Sequence, residues 1–438
     1  MSEAQTTLER WRERMRGRAG DLNRGGMLRY LAVLGPGIIA AVAGDDAGGI
    51  ATYATAGSRY GYSLLWAMVI ITVGLFTVQE MVTRMGAVTG KGLSDLIRER
   101  FGVRWTAFAM LTLLVANAAT TISEFVGIAA ALELFGVSKY ISVPLMAVVL
   151  WWLVVKGSYR RVERVFLLMS TAFLAYIISV FLAKPDWGAV ARSTVVPVIH
   201  PEAAFLVMLI ALIGTTITPY MQIFQQSAIV DKGVTVQDYE AARADMMTGV
   251  FLANVVAYSI IIATAATLFV HGIQIETAAD AAIALEPLAG EYAKILFAIG
   301  LFGASTLAAG VLPLATSFSV CEAFGWQSGL DSDFADARIF YGLFTGLLIL
   351  GALVTLIPGL PLFQLLVLVQ VINGLLLPIE LVFIMRLVND RDIMGNYVNG
   401  PRFNILAWGT TAVIGTLSVT LIIVGFILPL VGINLGGT

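Results

Sequence analysis

Ala43-Gly44-Asp45-Asp46-Ala47-Gly48-Gly49 lies inside an apolar run from about Tyr30 to Gly57. Two adjacent carboxylates at the middle of such a run are costly in a bilayer, and the glycines around them are poor helix formers. The stretch reads as a membrane-crossing helix broken at mid-depth by an acidic hinge. Backbone leaves a helix at that depth only where it lines a cavity enclosed by protein. The fold is therefore expected to be organised around this hinge.

The composition agrees with a membrane setting. Of 438 residues, 58% are hydrophobic and 13% charged, with a mean hydropathy of +0.86. A soluble domain carries about 25% charged residues. The net charge of −2 gives no sign of a nucleic-acid partner. One cysteine, Cys321, excludes a disulfide framework and any multi-cysteine metal site. His200 and His271 both fall in expected loops, which leaves the membrane interior without histidine. The Arg-rich start of the chain lacks the apolar core and cleavage site of a signal peptide.

Eleven apolar stretches approach the roughly 20 residues needed to cross a bilayer: 31–57, 62–86, 105–132, 140–156, 163–183, 203–230, 245–270, 292–322, 336–357, 360–388 and 402–430. With the N-terminus placed inside, 22 Lys and Arg residues fall on the cytoplasmic side. Only Arg59, Lys139, Lys184, Arg192 and Lys294 fall outside. This positive-inside bias predicts a cytoplasmic N-terminus, an external C-terminus and residence in the plasma (inner) membrane. The organisation expected is a basic cytoplasmic tail over 1–29, a five-helix unit over 30–183 and an external loop over 184–202. A second five-helix unit over 203–388 and a connector with an eleventh helix over 389–438 complete it. The tail suits either a basic amphipathic helix on anionic headgroups or a partly disordered topogenic segment.

Segment 6 holds a second interruption, Gly214-Thr215-Thr216-Ile217-Thr218-Pro219-Tyr220. Proline removes a backbone donor and clashes with the preceding turn. Segments 1 and 6 are the first spans of successive five-helix units, and both are interrupted near mid-span. An odd number of spans per unit inverts one unit relative to the other. Matching breaks in the two halves point to a transporter whose site lies between two discontinuous helices.

The groups that meet there are oxygen donors: the Asp46 carboxylate, Asp45 beside it, carbonyls freed near Ala43 and Thr215, the Thr218 and Tyr220 hydroxyls, and the amide of Gln370. No Met, Cys or His is among them, so nothing soft favours a late transition metal. Oxygen ligation suits Mg²⁺, Ca²⁺ or Mn²⁺, and Mg²⁺ usually keeps several waters while using one or two carboxylates. Ala47, Gly48 and Gly49 leave room for those waters; close helix packing also accounts for such glycines. Glu124, in mid-segment 3, either contributes to the cation path or pairs with a neighbour. Glu80 and Arg84, spaced i to i+4, are expected to form an intrahelical ion pair. The segment around Glu322, Asp331, Asp333 and Asp336 reads as a solvated acidic connector.

Several motifs are recognisable together. Gly35-Pro36-Gly37, the acidic break, Ala51-Thr52, Tyr60-Gly61-Tyr62 and Leu65-Trp66 resemble the first helices of the Nramp family of divalent-metal transporters. Thr89-Gly90-Lys91, Glu124-Phe125 with Gly127, Arg160-Arg161-Val162-Glu163, and the run from Gln370 through Pro378 to Asp390-Arg391 and Met394-Gly395 extend the resemblance past residue 30. It implies an all-α, polytopic LeuT-type fold: a 5+5 inverted repeat plus one helix, with helices 1 and 6 broken.

The departures from the family pattern are informative. The family motif Asp-Pro-Gly-Asn is here Asp46-Ala47-Gly48-Gly49; the metal-binding Asp stays, and Gly49 stands at the Asn site position. Met-Pro-His is here Thr218-Pro219-Tyr220, so the soft Met and the His implicated in proton movement are both replaced. Thr121 takes the place of a segment 3 Asp, and Asp45 adds a carboxylate. The pattern resembles the divergent magnesium-transporting branch. It implies uncoupled transport of Mg²⁺, with Mn²⁺ also accepted, by a monomer with no enzymatic activity and no cofactor. Thr121, Glu124 and Tyr220 are then gating or pathway positions. The nearest rival is a proton-coupled Mn²⁺/Fe²⁺ importer. A sodium-coupled amino-acid symporter would find the paired Asp residues in the way of a substrate carboxylate. An intramembrane aspartyl protease would need two carboxylates facing each other across helices, which adjacent residues do not provide.

Overall fold

The computed structural model describes residues 46–155, 165, 168–169, 171–327 and 337–427. All regular structure among them is helical. The principal helices are α1 (Ala47–Tyr60), α2 (Leu65–Thr89), α3 (Leu93–Glu133), α4 (Lys139–Val155), α5 (Ala175–Leu182), α6 (Trp187–Val195), α7 (Ala203–Thr216) and α8 (Pro219–Asp231). They continue as α9 (Tyr239–Thr267), α10 (Ala293–Phe324), α11 (Arg338–Thr355), α12 (Leu362–Val388) and α13 (Pro401–Ile422), with short helical turns between them.

Among the described residues eight helices are long and apolar enough to cross a membrane. The number is nine if the pair Thr171–Leu182 and Trp187–Val195, bent by 114°, is one span. The expected count was eleven. Helix α4 is a shorter apolar helix, and the first half of segment 1 lies outside the described residues, as does the N-terminal tail. The stretch 184–202, expected as a loop, contains helix α6. Asp186 starts it by accepting hydrogen bonds from the main-chain N–H groups of Gly188 and Ala189 at 2.9 and 3.1 Å. Trp66 of α2 anchors the chain that follows, its Nε1 donating to Val198 O at 3.1 Å.

Burial is distributed as a bilayer requires. Ile141, Leu145, Val148 and Trp152 of α4 and Ile405 of α13 are exposed, forming an apolar exterior. The interior carries Asp46, Asn117, Thr120, Glu124, Gln222, Gln370 and Asn373, all buried. These polar groups are embedded in an otherwise apolar interior.

Helix α3 packs along α10, and α12 packs against both α7 and α3, so these four helices frame that core. The α7–α12 contact is a backbone contact: a Cβ on Gly214 would lie 2.0 Å from Gln370 O and 2.3 Å from Gly374 N. Only a residue without a side chain permits that approach. Within α3, Gly102 has φ 74° and ψ 173°, a left-handed position open to glycine, and it separates the first turns, Leu93–Phe101, from the long membrane portion.

Candidate cation site

The carboxylate that looked misplaced in the sequence begins a helix. Asp46 has extended backbone angles (φ −70°, ψ 173°), and its Oδ1 accepts the N–H of Gly49 at 2.6 Å. An Asp in this position satisfies a free helix N–H and sits at the positive end of the helix dipole. A charge-assisted bond of this kind contributes roughly 1.5–3 kcal/mol. Gly49 thus meets Asp46 through its main-chain N–H. Ala43 and Asp45, the other acidic-hinge positions, lie outside the described residues.

Three further elements close on Asp46. From α12, the Gln370 amide donates through Nε2 to Asp46 Oδ1 at 3.4 Å. From α3, Glu124 Oε2 accepts the N–H of Ala47 at 3.4 Å, which places a second carboxylate at the same helix start; Ser123 Oγ donates to Glu124 Oε1 at 3.2 Å. The approach of α1 to α3 and α10 rests on Gly127, where a Cβ would stand 2.4 Å from the Ala47 Cβ and 2.2 Å from Ser305 Oγ. Among the described residues neither Asp46 nor Glu124 forms an ion pair.

The second break is built by proline. Helix α7 ends at Thr216, Ile217 (φ −114°, ψ 63°) and Thr218 (φ −70°, ψ 134°) leave helical geometry, and Pro219 starts α8. Proline suits a first helical position because the N–H it lacks would be unpaired there. The Thr218 hydroxyl donates to Thr215 O at 2.9 Å, taking up a carbonyl that the break sets free. The Thr215 hydroxyl is buried without a partner among the described residues. Thr215 follows Gly214, which rests on the backbone of Gln370, so the start of α1 and the segment 6 interruption meet at Gln370. Tyr53 of α1 ties them again, its hydroxyl 3.0 Å from Thr216 Oγ1.

Two of the other positions singled out in the sequence have neighbours of their own. The Thr121 hydroxyl turns back onto its own helix, donating to Asn117 O at 2.7 Å, and a Cβ on Gly351 of α11 would stand 3.1 Å from the Thr121 methyl. The half-buried Tyr220 ring packs 5.6 Å from that of Phe224 on α8. The ion pair expected of Glu80 and Arg84 is present at 3.1 Å, and Tyr239 donates its hydroxyl to Glu80 as well.

Residues not singled out in the sequence complete the core. Asn373 Nδ2 donates to Gln370 Oε1 and to Thr120 Oγ1, each at 3.0 Å. Asn117 Nδ2 donates to Thr316 Oγ1 at 2.7 Å. The signal was available: Asn117, Thr120 and Glu124 share one face of segment 3, and Asn373 follows Gln370 by three residues in an otherwise apolar run.

Among the described residues no three His, Cys, Asp or Glu side chains converge to hold a metal. Among the described residues, Asp46 and Glu124 are the two carboxylates at the start of α1.

The chain matches the family described as natural resistance-associated macrophage protein-like (Nramp) over residues 37–424. It is 30% identical to the divalent metal cation transporter MntH of Deinococcus radiodurans over 422 residues, covering 92% of both chains. It is 31% identical to the MntH of Ralstonia nicotianae, covering 90% of this chain and 91% of that one. The fold is similar to that of a manganese transporter from Eremococcus coleocola, with a TM-score of 0.72 at 22% identity, covering 91% of this chain and 88% of that one. MhsT in complex with L-phenylalanine is a more distant likeness, with a TM-score of 0.58 at 14% identity over 88% of this chain and 97% of that one. By a match that spans most of its length and by relatives aligned over nine-tenths of both chains, this chain belongs to the Nramp family.

Proposed function

We propose that this protein carries divalent cations across the plasma membrane, taking Mg²⁺ and also Mn²⁺, by alternating access around Asp46 and without moving protons. The observation that carries this reading is the chemistry around Asp46. Its neighbours are the main-chain N–H of Gly49, the Gln370 amide and, through the N–H of Ala47, the Glu124 carboxylate, and Thr218-Pro219-Tyr220 supplies neither thioether nor imidazole. A hard oxygen shell holding one or two carboxylates suits a partly hydrated Mg²⁺. The relatives' description as divalent metal cation transporters supports the same class of cargo. In this reading Asp46, Asp45, the carbonyls at Ala43 and Thr215, Gly49, Thr218 and Gln370 form the cation site, with Glu124, Thr121 and Tyr220 along its path.

The architecture that goes with it is eleven spans, two inverted five-helix units (30–183 and 203–388) and a last helix, working as a monomer with its N-terminus cytoplasmic and its C-terminus outside. The driving force needs no proton. A divalent ion entering a negative interior gains about 2.3 kcal/mol per charge per 100 mV. The test is uptake into proteoliposomes loaded with a Mg²⁺-sensitive dye. Asp46→Ala is expected to abolish uptake; a normal rate in that variant would remove Asp46 from the site. Efficient uptake of the soft ion Cd²⁺ would favour the proton-coupled Mn²⁺/Fe²⁺ alternative.

A further inference from the structure

The hydrogen bonds linking Thr120, Asn373, Gln370 and Asp46 have one donor at their centre, the Asn373 amide. The Thr120 hydroxyl lies 3.0 Å from Ala116 O, one turn back on α3, and donates to it. Asn373 Nδ2 donates to Thr120 Oγ1 and to Gln370 Oε1. Gln370 Nε2 then donates to Asp46 Oδ1. All three side chains are buried. Gln370 therefore presents N–H groups, not its oxygen, to Asp46. Gly48 makes the room: a Cβ there would stand 1.9 Å from Gln370 Nε2.

An amide N–H cannot ligate a cation; its oxygen can. For Gln370 to face an ion at Asp46 with Oε1, its amide must turn over, which brings Nε2 against Asn373 Nδ2. Two donors cannot face each other, so Asn373 must turn as well and accept through Oδ1. The Thr120 hydroxyl already lies 3.4 Å from Asn373 Oδ1. Rotating away from Ala116 O, it becomes a second donor to that oxygen. The same three residues thus have a second arrangement, with the direction of donation reversed.

We propose that Thr120, Asn373 and Gln370 form a two-setting relay that responds to whether a cation sits at Asp46, with Asn373 as the positioning residue. The inference rests on the transport reading above and adds a role in one step of it. A carrier that moves no protons must return empty, with the Asp46 carboxylate bare inside the membrane. Two donors stabilise it then, the N–H of Gly49 and Nε2 of Gln370. Asn373 holds Gln370 in the donating setting for that return and releases it when an ion arrives.

Net uptake into cation-free proteoliposomes requires the empty return, whereas exchange of labelled ion against the same ion inside does not. In the loaded setting the ion itself anchors Gln370 Oε1, whereas in the empty setting Asn373 fixes that amide; with the full-length protein, Asn373→Leu is therefore expected to lower net uptake at least fivefold and to leave exchange within twofold. Thr120→Val, nearly isosteric, is expected to lower the ratio of net uptake to exchange in the same direction, and Thr120→Ser to restore it. If Asn373→Leu is inactive in both assays, the Thr120 pair decides. Equal losses of both rates in Thr120→Val, or an unchanged ratio, would overturn the relay. Both assays are run with Mg²⁺ and with Mn²⁺. A wild-type protein that carries only Mn²⁺ would refute the Mg²⁺ reading, while the ratio measured with Mn²⁺ would still decide the relay.

Discussion

Gly48→Ala is a one-methyl change whose consequence follows from the geometry of the site. The added Cβ would stand 1.9 Å from Gln370 Nε2, 2.9 Å from its Cδ and 3.2 Å from its Cγ. Attractive contact between such atoms begins at about 3.5 Å, so the Gln370 side chain must swing away from Asp46. Gly48 lies in the first turn of α1, where alanine is the better helix former by about 1 kcal/mol. That gain offsets part of an overpacking cost of about 1–3 kcal/mol, so global stability changes by roughly 0–2 kcal/mol. The site loses more. A hydrogen bond to a charged group is worth about 1.5–3 kcal/mol, and about 1.4 kcal/mol is a factor of ten. If the loss falls on the state in which Asp46 is bare, transport slows roughly 10- to 100-fold. Dye-reported Mg²⁺ flux measures the rate, and a thermal-stability scan of the purified protein measures the fold. Gln370→Ala removes the obstacle, so adding Gly48→Ala to it is expected to cost little more. Flux within twofold of wild type in Gly48→Ala, or losses that simply multiply in the double variant, would refute the argument.

Two other substitutions probe the packing that brings the breaks together. Gly214→Ala sets a Cβ against the backbone of Gln370 and Gly374, which cannot step aside as a side chain can. It is expected to cost at least about 1–3 kcal/mol and to appear as a lowered midpoint of thermal unfolding together with lost flux. Tyr53→Phe removes the hydroxyl beside Thr216 Oγ1. The expected cost is about 0.5–1.5 kcal/mol, seen as a small fall in thermal stability with transport retained at a reduced rate.

How much of this was legible in the sequence depends on the range of the interactions involved. The segment 6 break could be read because proline acts locally; helix α7 stops at Thr216 and α8 starts at Pro219. The Glu80–Arg84 pair was legible for the same reason, since an i to i+4 spacing on one helix fixes its own geometry. Helix α6 was misread as loop because nine residues with a polar face do not resemble a span. Its local sign, Asp186 just ahead of Trp187-Gly188-Ala189, is a helix-starting pattern. Among the described residues, the part of segment 1 beyond Asp46 is a 14-residue helix capped by that carboxylate. Gln370 was visible as an amide at membrane depth, but the direction of its hydrogen bonds was not. That direction is set by Asn373 and by Thr120, 253 residues earlier in the chain, through helix packing that no local pattern encodes. The approach of Gly214 to the Gln370 backbone is also a property of the assembled helices.

In the function proposed, an oxygen-lined site without thioether or imidazole passes Mg²⁺ without protons. Its most direct test is Mg²⁺ flux into proteoliposomes at an imposed inside-negative potential, with a Mg²⁺ dye and a pH dye read in parallel. The account predicts that Mg²⁺ enters, faster at a more negative potential, with no change of internal pH. Exclusion of Mg²⁺ while Mn²⁺ enters together with protons would contradict it.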